Sequence, residues 1–169
     1  IAGLAQAGHD FYTLAGAQSL CSALPKLSKG RLIVLVAAMP FKCPAAPNEA
    51  AMLLEYDCRR RGVRKDVPVD LYTPEPGPMP VAGPEVSAAL RQMVEAKGIG
   101  YHPGHAVTSV DPAKRRIAFA NGAEADFDLL AYVPPHRAPK VVRDAGMCGE
   151  SGWIPANRGT LETRFPGVH

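Results

Sequence analysis

Apolar residues in this chain follow two periodicities, and the sharpest change between them falls within residues 31–62. Residues 31–39, Arg-Leu-Ile-Val-Leu-Val-Ala-Ala-Met, are almost uninterrupted apolar sequence. That suits a strand covered on both faces in a parallel sheet, since a half-exposed antiparallel strand would alternate. Beyond Pro40-Phe-Lys-Cys-Pro-Ala-Ala-Pro47 the spacing becomes helical over residues 48–61, with Ala50, Leu53, Leu54 and Cys58 expected on the buried face. Pro47 fits the first turn, Glu49 the positive helix end, Arg59, Arg60 and Arg61 the negative end, and Gly62 the stop.

The same signals continue on both sides of this strand–loop–helix unit. A helix is expected over residues 14–24, ended by Pro25, with Cys21 on its apolar face as a small buried hydrophobe; Cys58 reads the same way. Residues 67–73 form a second strand, followed by the proline-dense loop Pro74-Glu-Pro-Gly-Pro-Met-Pro80. Residues 84–97 form a helix with Val86, Leu90, Met93 and Val94 inward, and residues 99–102 a third strand. Residues 106–110 and 115–120, with the turn signal Asn121-Gly122, predict a small antiparallel meander. Residues 126–133 are another buried strand, running into the loop Pro134-Pro-His-Arg-Ala-Pro139 at the carboxyl edge of the sheet, where ligands of such folds sit. The fold class is α/β: a Rossmann-like parallel sheet with flanking helices and a three-stranded antiparallel β-meander. Three segments follow: 1–30 as a connecting segment with a covering helix, 31–137 as the Rossmann-like domain, and 138–169 as a crossing segment.

Composition narrows the chemistry. The 169 residues are 47% hydrophobic and 21% charged, with a net charge of +3. The densest basic cluster, Arg59-Arg60-Arg61 with Arg64-Lys65, has no interleaved aromatics, so it is expected to be a solvated surface, with no nucleic acid bound. No apolar run reaches the ~20 residues of a membrane span. Cys21, Cys43, Cys58 and Cys148 show neither metal-ligand spacing nor a secreted disulfide framework, and no metal is expected. His9, His102, His105 and His136 offer no ligand geometry and are expected to be surface or loop residues. The chain begins without methionine and ends without a stop signal, which suggests a piece of a longer polypeptide.

The turn after the first long strand is where a dinucleotide-binding unit would present glycines and bare N–H groups to a pyrophosphate. Here it carries Cys43, Pro44 and Pro47, so donors are lost and bulk is added. A thiol there, beside Lys42 and before the positive end of a helix, is favoured as the nucleophilic thiolate. The alternative is that Cys43 only fills a turn. Glu75, just past the second strand, occupies the place of a ribose-binding acid, which is weak evidence without a phosphate cradle.

Seven segments in order carry a resemblance: Lys42-Cys-Pro-Ala-Ala-Pro-Asn-Glu49, Tyr72-Thr-Pro-Glu-Pro76, Pro78-Met-Pro-Val-Ala-Gly83, Val133-Pro-Pro-His-Arg137, Ala145-Gly146, Gly152-Trp-Ile154 and Thr160-Leu161. Together they resemble the pyridine-nucleotide-like domain of sulfide:quinone oxidoreductases, FAD-dependent members of the pyridine nucleotide-disulfide oxidoreductases, and more distantly flavocytochrome c sulfide dehydrogenases. The resemblance implies that Cys43 is a redox cysteine over the flavin and Glu49 an acid handling protons. It also implies that Pro44 and the loop of Pro135, His136 and Arg137 lie against the flavin's neighbourhood. It further implies FAD in a longer parent, gripped by segments outside this chain and not by this segment. Sulfide and quinone would be the parent's small-molecule partners, and its location cytoplasmic or peripheral to an inner membrane. The family's partner cysteine has no convincing match in Cys21 or Cys148. A pyridine-nucleotide-dependent reductase of the same superfamily and a non-catalytic docking domain remain the alternatives. NADH oxidation would favour the first, and a parent without flavin the second.

Overall fold

Eight consecutive apolar residues are more than a strand here uses: in the computed structural model, which describes residues 1–169, β2 spans Leu32–Val36, every residue of it buried. Before it come the short helix α1 (Leu4–Ala7), the two-residue strand β1 (His9–Asp10) and α2 (Leu14–Ala23); after it come α3 (Ala46–Arg60), β3 (Val69–Tyr72), α4 (Pro84–Ala96) and β4 (Gly100–His102). The meander is β5 (Val107–Asp111), β6 (Arg116–Phe119) and β7 (Glu124–Asp126), and β8 (Leu129–Val133) returns to the main sheet. The chain divides into a unit of Ile1–Pro135 and a unit of His136–His169.

The first unit holds a five-stranded sheet in the order β1-β8-β2-β3-β4, with every pairing parallel, and a separate antiparallel sheet β5-β6-β7. This is the expected α/β architecture. Alternation sends Leu32, Val34, Val69, Leu71 and Ala131 to one face, where they pack on Leu20 of α2, on Ala51, Leu54 and Cys58 of α3 and on Val94 of α4. Ile33, Leu35, Tyr72, Leu130 and Tyr132 face the other way, onto Ile117, Phe119 and Ala125 of the meander. Both faces being covered explains why the strands read as continuous apolar runs.

Several expectations need correction. The strand expected over residues 126–133 is two: Asp126 ends β7, and β8 starts at Leu129. Asp128, between them, accepts the Arg31 N–H at 2.8 Å. On α3 the inward face is Ala51, Leu54, Glu55 and Cys58, while Leu53 is 60% exposed. On α4 only Val94 is buried, with Leu90 packed against the core; Val86 and Met93 are exposed. Cys21 is exposed as well. In each case helical spacing admitted a wider stripe than the sheet beneath can cover.

The arginine cluster is not simply solvated. Buried Glu55 is paired with Arg59 at 2.8 Å and Arg64 at 3.5 Å, and Arg61 binds Asp57 at 2.7 Å and donates to the Leu27 carbonyl at 2.9 Å. His102 likewise is no plain loop residue: its Nε2 lies 2.9 Å from Asp70 Oδ1 and its ring stacks on Tyr72.

In the second unit, α5 (Lys140–Asp144) is capped by its own last turn, and the rest is glycine-punctuated turns. The Thr163 hydroxyl donates to the Val168 carbonyl at 2.9 Å, and Arg164 donates to the Gly146 carbonyl at 2.9 Å.

Candidate functional site

The connection from β2 to α3 leaves the sheet at its carboxyl edge. There β2 and β8 run side by side in register, Val36 opposite Val133, and the Ala37 N–H donates to the Val133 carbonyl at 3.1 Å. The two loops that carry the expected site residues of the first unit, Cys43 and Pro44 on one and Pro135 on the other, therefore start from neighbouring strand ends. Glu49 follows in the first turn of α3. His136 and Arg137 open the second unit.

Cys43 is exposed and adopts φ 60°, in the left-handed region. For a residue with a Cβ this conformation costs roughly 1–2 kcal/mol. The strain is sustained by what surrounds it. The Cys43 carbonyl accepts the Ala46 N–H at 3.0 Å, which starts the helix, and the amide of buried Asn48 lies at 3.5 Å from the Pro44 carbonyl. On the preceding peptide, the Lys42 carbonyl accepts the hydroxyl of Tyr12 at 2.7 Å. Burial first, and then the charge of nearby Cys43, push the Tyr12 phenol up to about 12.

Beside this loop, an apolar groove of about 280 Å³ runs between α2 and α3, lined by Phe11, Leu20, Ala46, Ala50, Leu53 and Leu54, with exposed Glu49 in its wall. Leu53 thus faces a groove where the sequence pattern placed core. Leu20 comes from the expected covering helix, and Phe11 and Tyr12 from the connecting stretch before it. The signal next to Phe11 and Tyr12 was Thr13 before an apolar run: its hydroxyl caps α2 by accepting the Gly16 N–H at 3.0 Å.

Glu75 is not aimed at a ribose. It is buried, its carboxylate accepts the Thr73 hydroxyl at 3.1 Å, and burial pushes its carboxyl above the usual range, with the Thr73 bond opposing. The neighbouring Tyr101 hydroxyl is buried without a hydrogen-bond partner; burial first, then the Glu75 charge, raise that phenol. Cys58 is buried in the core, and burial raises its thiol although Arg61 opposes, which marks it as inert. Cys148 is half-buried in the second unit. No group of three or more His, Cys, Asp or Glu could hold a metal ion.

The arrangement presents a thiol and offers a pyrophosphate fewer donors than a glycine-rich turn would. Pro44 and Pro47 have no N–H, the Ala46 N–H is taken by the Cys43 carbonyl and that of Glu49 by the Ala45 carbonyl at 3.0 Å.

Comparison with known proteins agrees with the sequence resemblance over most of the chain. It is 27% identical over 152 residues to the mitochondrial sulfide:quinone oxidoreductase of Schizosaccharomyces pombe, covering 86% of this chain and 33% of that protein. It is 29% identical over 137 residues to the sulfide-quinone reductase of Aquifex aeolicus, covering 78% of this chain and 31% of that protein. The crystal structure of the sulfide:quinone oxidoreductase from Aquifex aeolicus shares the fold, with a TM-score of 0.70, 22% identity, and coverage of 89% of this chain and 37% of that one. No protein-family model matches. The chain is thus sulfide:quinone oxidoreductase-like, and it spans about a third of the length of the relatives it matches.

Proposed function

We propose that this chain is the central domain of a longer flavin-dependent oxidoreductase that oxidises sulfide through Cys43 and delivers the electrons to a quinone. The observation that supports it most is the exposed thiol of Cys43, held in a left-handed turn at the carboxyl edge of the sheet where a nucleotide-binding relative would keep a phosphate cradle. The reading is favoured by the similarity to proteins named for sulfide and quinone.

In the proposed cycle, Cys43 begins in a disulfide with a cysteine supplied from outside this chain. Hydrosulfide attacks that bond; the sulfur–sulfur bond between the cysteines breaks, a persulfide forms on one and the other leaves as thiolate. Transfer of the sulfane sulfur to an acceptor nucleophile leaves two thiols, whose oxidation back to the disulfide releases the two electrons and two protons that the quinone takes up. Sulfide sulfur loses two electrons, and the quinone gains two electrons and two protons. FAD, when bound, supplies the two-electron relay between sulfur and quinone. By the resemblance, Cys43, Pro44 and Pro135 of the first unit would lie in the neighbourhood of the flavin's ring, and the pyrophosphate would be held elsewhere in the longer protein. Glu49, exposed in the first turn of α3, would exchange the protons released as hydrosulfide reacts. No helix is long and apolar enough to cross a membrane. Access to a lipid-borne quinone would come from peripheral association through other regions.

The test is made in the longer polypeptide. Cys43→Ser is expected to retain flavin and lose sulfide-dependent quinone reduction. Glu49→Gln is expected to slow it roughly a hundredfold, with a changed pH profile. Wild-type turnover by Cys43→Ser would overturn the reading, and NADH-dependent flavin reduction untouched by that substitution would favour a nucleotide-dependent reductase.

A further inference from the structure

The end of β1 is bound tightly to the sheet for so short a strand. Asp10 pairs with Tyr132 of β8, and its carboxylate accepts the N–H of Tyr12 at 3.0 Å, the N–H of Thr13 at 2.7 Å and the Thr13 hydroxyl at 3.0 Å. This side-chain-closed turn fixes the backbone of Tyr12. From there the phenol hydroxyl reaches across to the Lys42 carbonyl. The stretch it meets, Phe41-Lys-Cys43, is the part of the loop lying between Pro40 and Pro44, so its torsions are not locked by a pyrrolidine ring. Cys43 also precedes Pro44, and a residue before proline is driven toward extended conformations. Left to itself, Cys43 would leave φ 60° and swing its thiol elsewhere. The Ala46 N–H holds the peptide after Cys43, and Tyr12 holds the peptide before it.

We propose that Tyr12 is a positioning residue for the Cys43 thiol, acting through its hydrogen bond to the Lys42 carbonyl; this rests on the reading of Cys43 as the nucleophile. The phenol suits the task because it stays protonated throughout the range in which a thiol ionises, and so keeps donating. A thiolate on Cys43 strengthens that arrangement, since its charge opposes loss of the phenol's proton.

Tyr12→Phe removes the hydroxyl and keeps the ring. Iodoacetamide at limiting concentration, with mass-spectrometric readout of each cysteine in the 169-residue chain, measures the outcome across a pH series. Expected is an about fivefold fall in the rate at Cys43, the weight of one lost hydrogen bond, with exposed Cys21 unchanged and Cys58 still protected. A rapid Cys43 in the wild type that Tyr12→Phe leaves unaltered would sink the proposal alone. Loss of Cys58 protection in the variant would also overturn it, because the hydroxyl would then serve the fold and not the thiol. Equal wild-type rates at Cys43 and Cys21 would sink the nucleophile reading and the proposal with it.

Discussion

The imidazole of His102 lies flat on the ring of Tyr72, with centroids 4.1 Å apart and planes at 11°, while its Nε2 meets the Asp70 carboxylate at 2.9 Å. Asp70 is also paired with Arg31 at 3.4 Å, and Phe119 of the meander stacks on Tyr72 at 5.0 Å. His102 of β4 thereby binds two side chains of β3, and Tyr72 in turn ties β3 to the meander. His102→Ala is expected to lower unfolding free energy by about 1–3 kcal/mol, from a lost ring pair and a carboxylate left with one partner. Urea denaturation followed by tryptophan-independent far-UV signal measures it. Gly100→Ala should act on the same group, since a Cβ there would collide with the Asp70 carboxylate.

Burial of Glu75 carries a pH signature. Its folded-state carboxyl titrates above the unfolded value, so the native state holds the extra proton; the stabilisation is complete below about pH 4.5 and is lost as pH rises through the folded value. Glu75→Gln should therefore match the wild type in acid and exceed it at neutral pH. Thermal midpoints at both ends of that range test the sign. A wild type that gains stability over the interval relative to the variant would contradict it.

The two adjacent leucines of α3 should behave differently. Leu54, 7% exposed, sits under the sheet, and Leu54→Ala is expected to cost about 2–5 kcal/mol. Leu53 lines the groove, and Leu53→Ala should cost well under that, within about 1 kcal/mol. Equal losses in chemical denaturation would return Leu53 to the core.

Thiol accessibility separates the cysteines. Cys58, buried and with its thiol raised by desolvation, should remain unmodified until the chain unfolds, whereas Cys43 and Cys21 react in the native state. Cys58→Ser should destabilise by about 1–3 kcal/mol, because a hydroxyl would be placed in an apolar core. Alkylation with and without denaturant reads the first claim, and equilibrium unfolding the second.

Local signals in the sequence were enough for the parallel sheet, the order of its longer helices and strands, and the cysteine loop. Long apolar runs require two-sided cover, prolines remove donors wherever they stand, and helix stops act within a turn. Cys43 stood out as a thiol where a phosphate cradle would be, whereas the roles given to Pro44 and Glu49 came from the resemblance alone. Contacts distant along the chain were not. The strand at His9–Asp10 is too short to have a period, and it exists because β8 offers it a partner. Whether Leu53, Val86, Met93 and Cys21 are covered depends on how wide a stripe the sheet meets, which helical spacing does not encode. The pairing of Asp70 with His102 spans 32 positions and that of Tyr12 with Lys42 spans 30. Only the folded chain brings such groups within hydrogen-bonding distance, and so tertiary structure decided which side chain meets the Lys42 carbonyl beside Cys43.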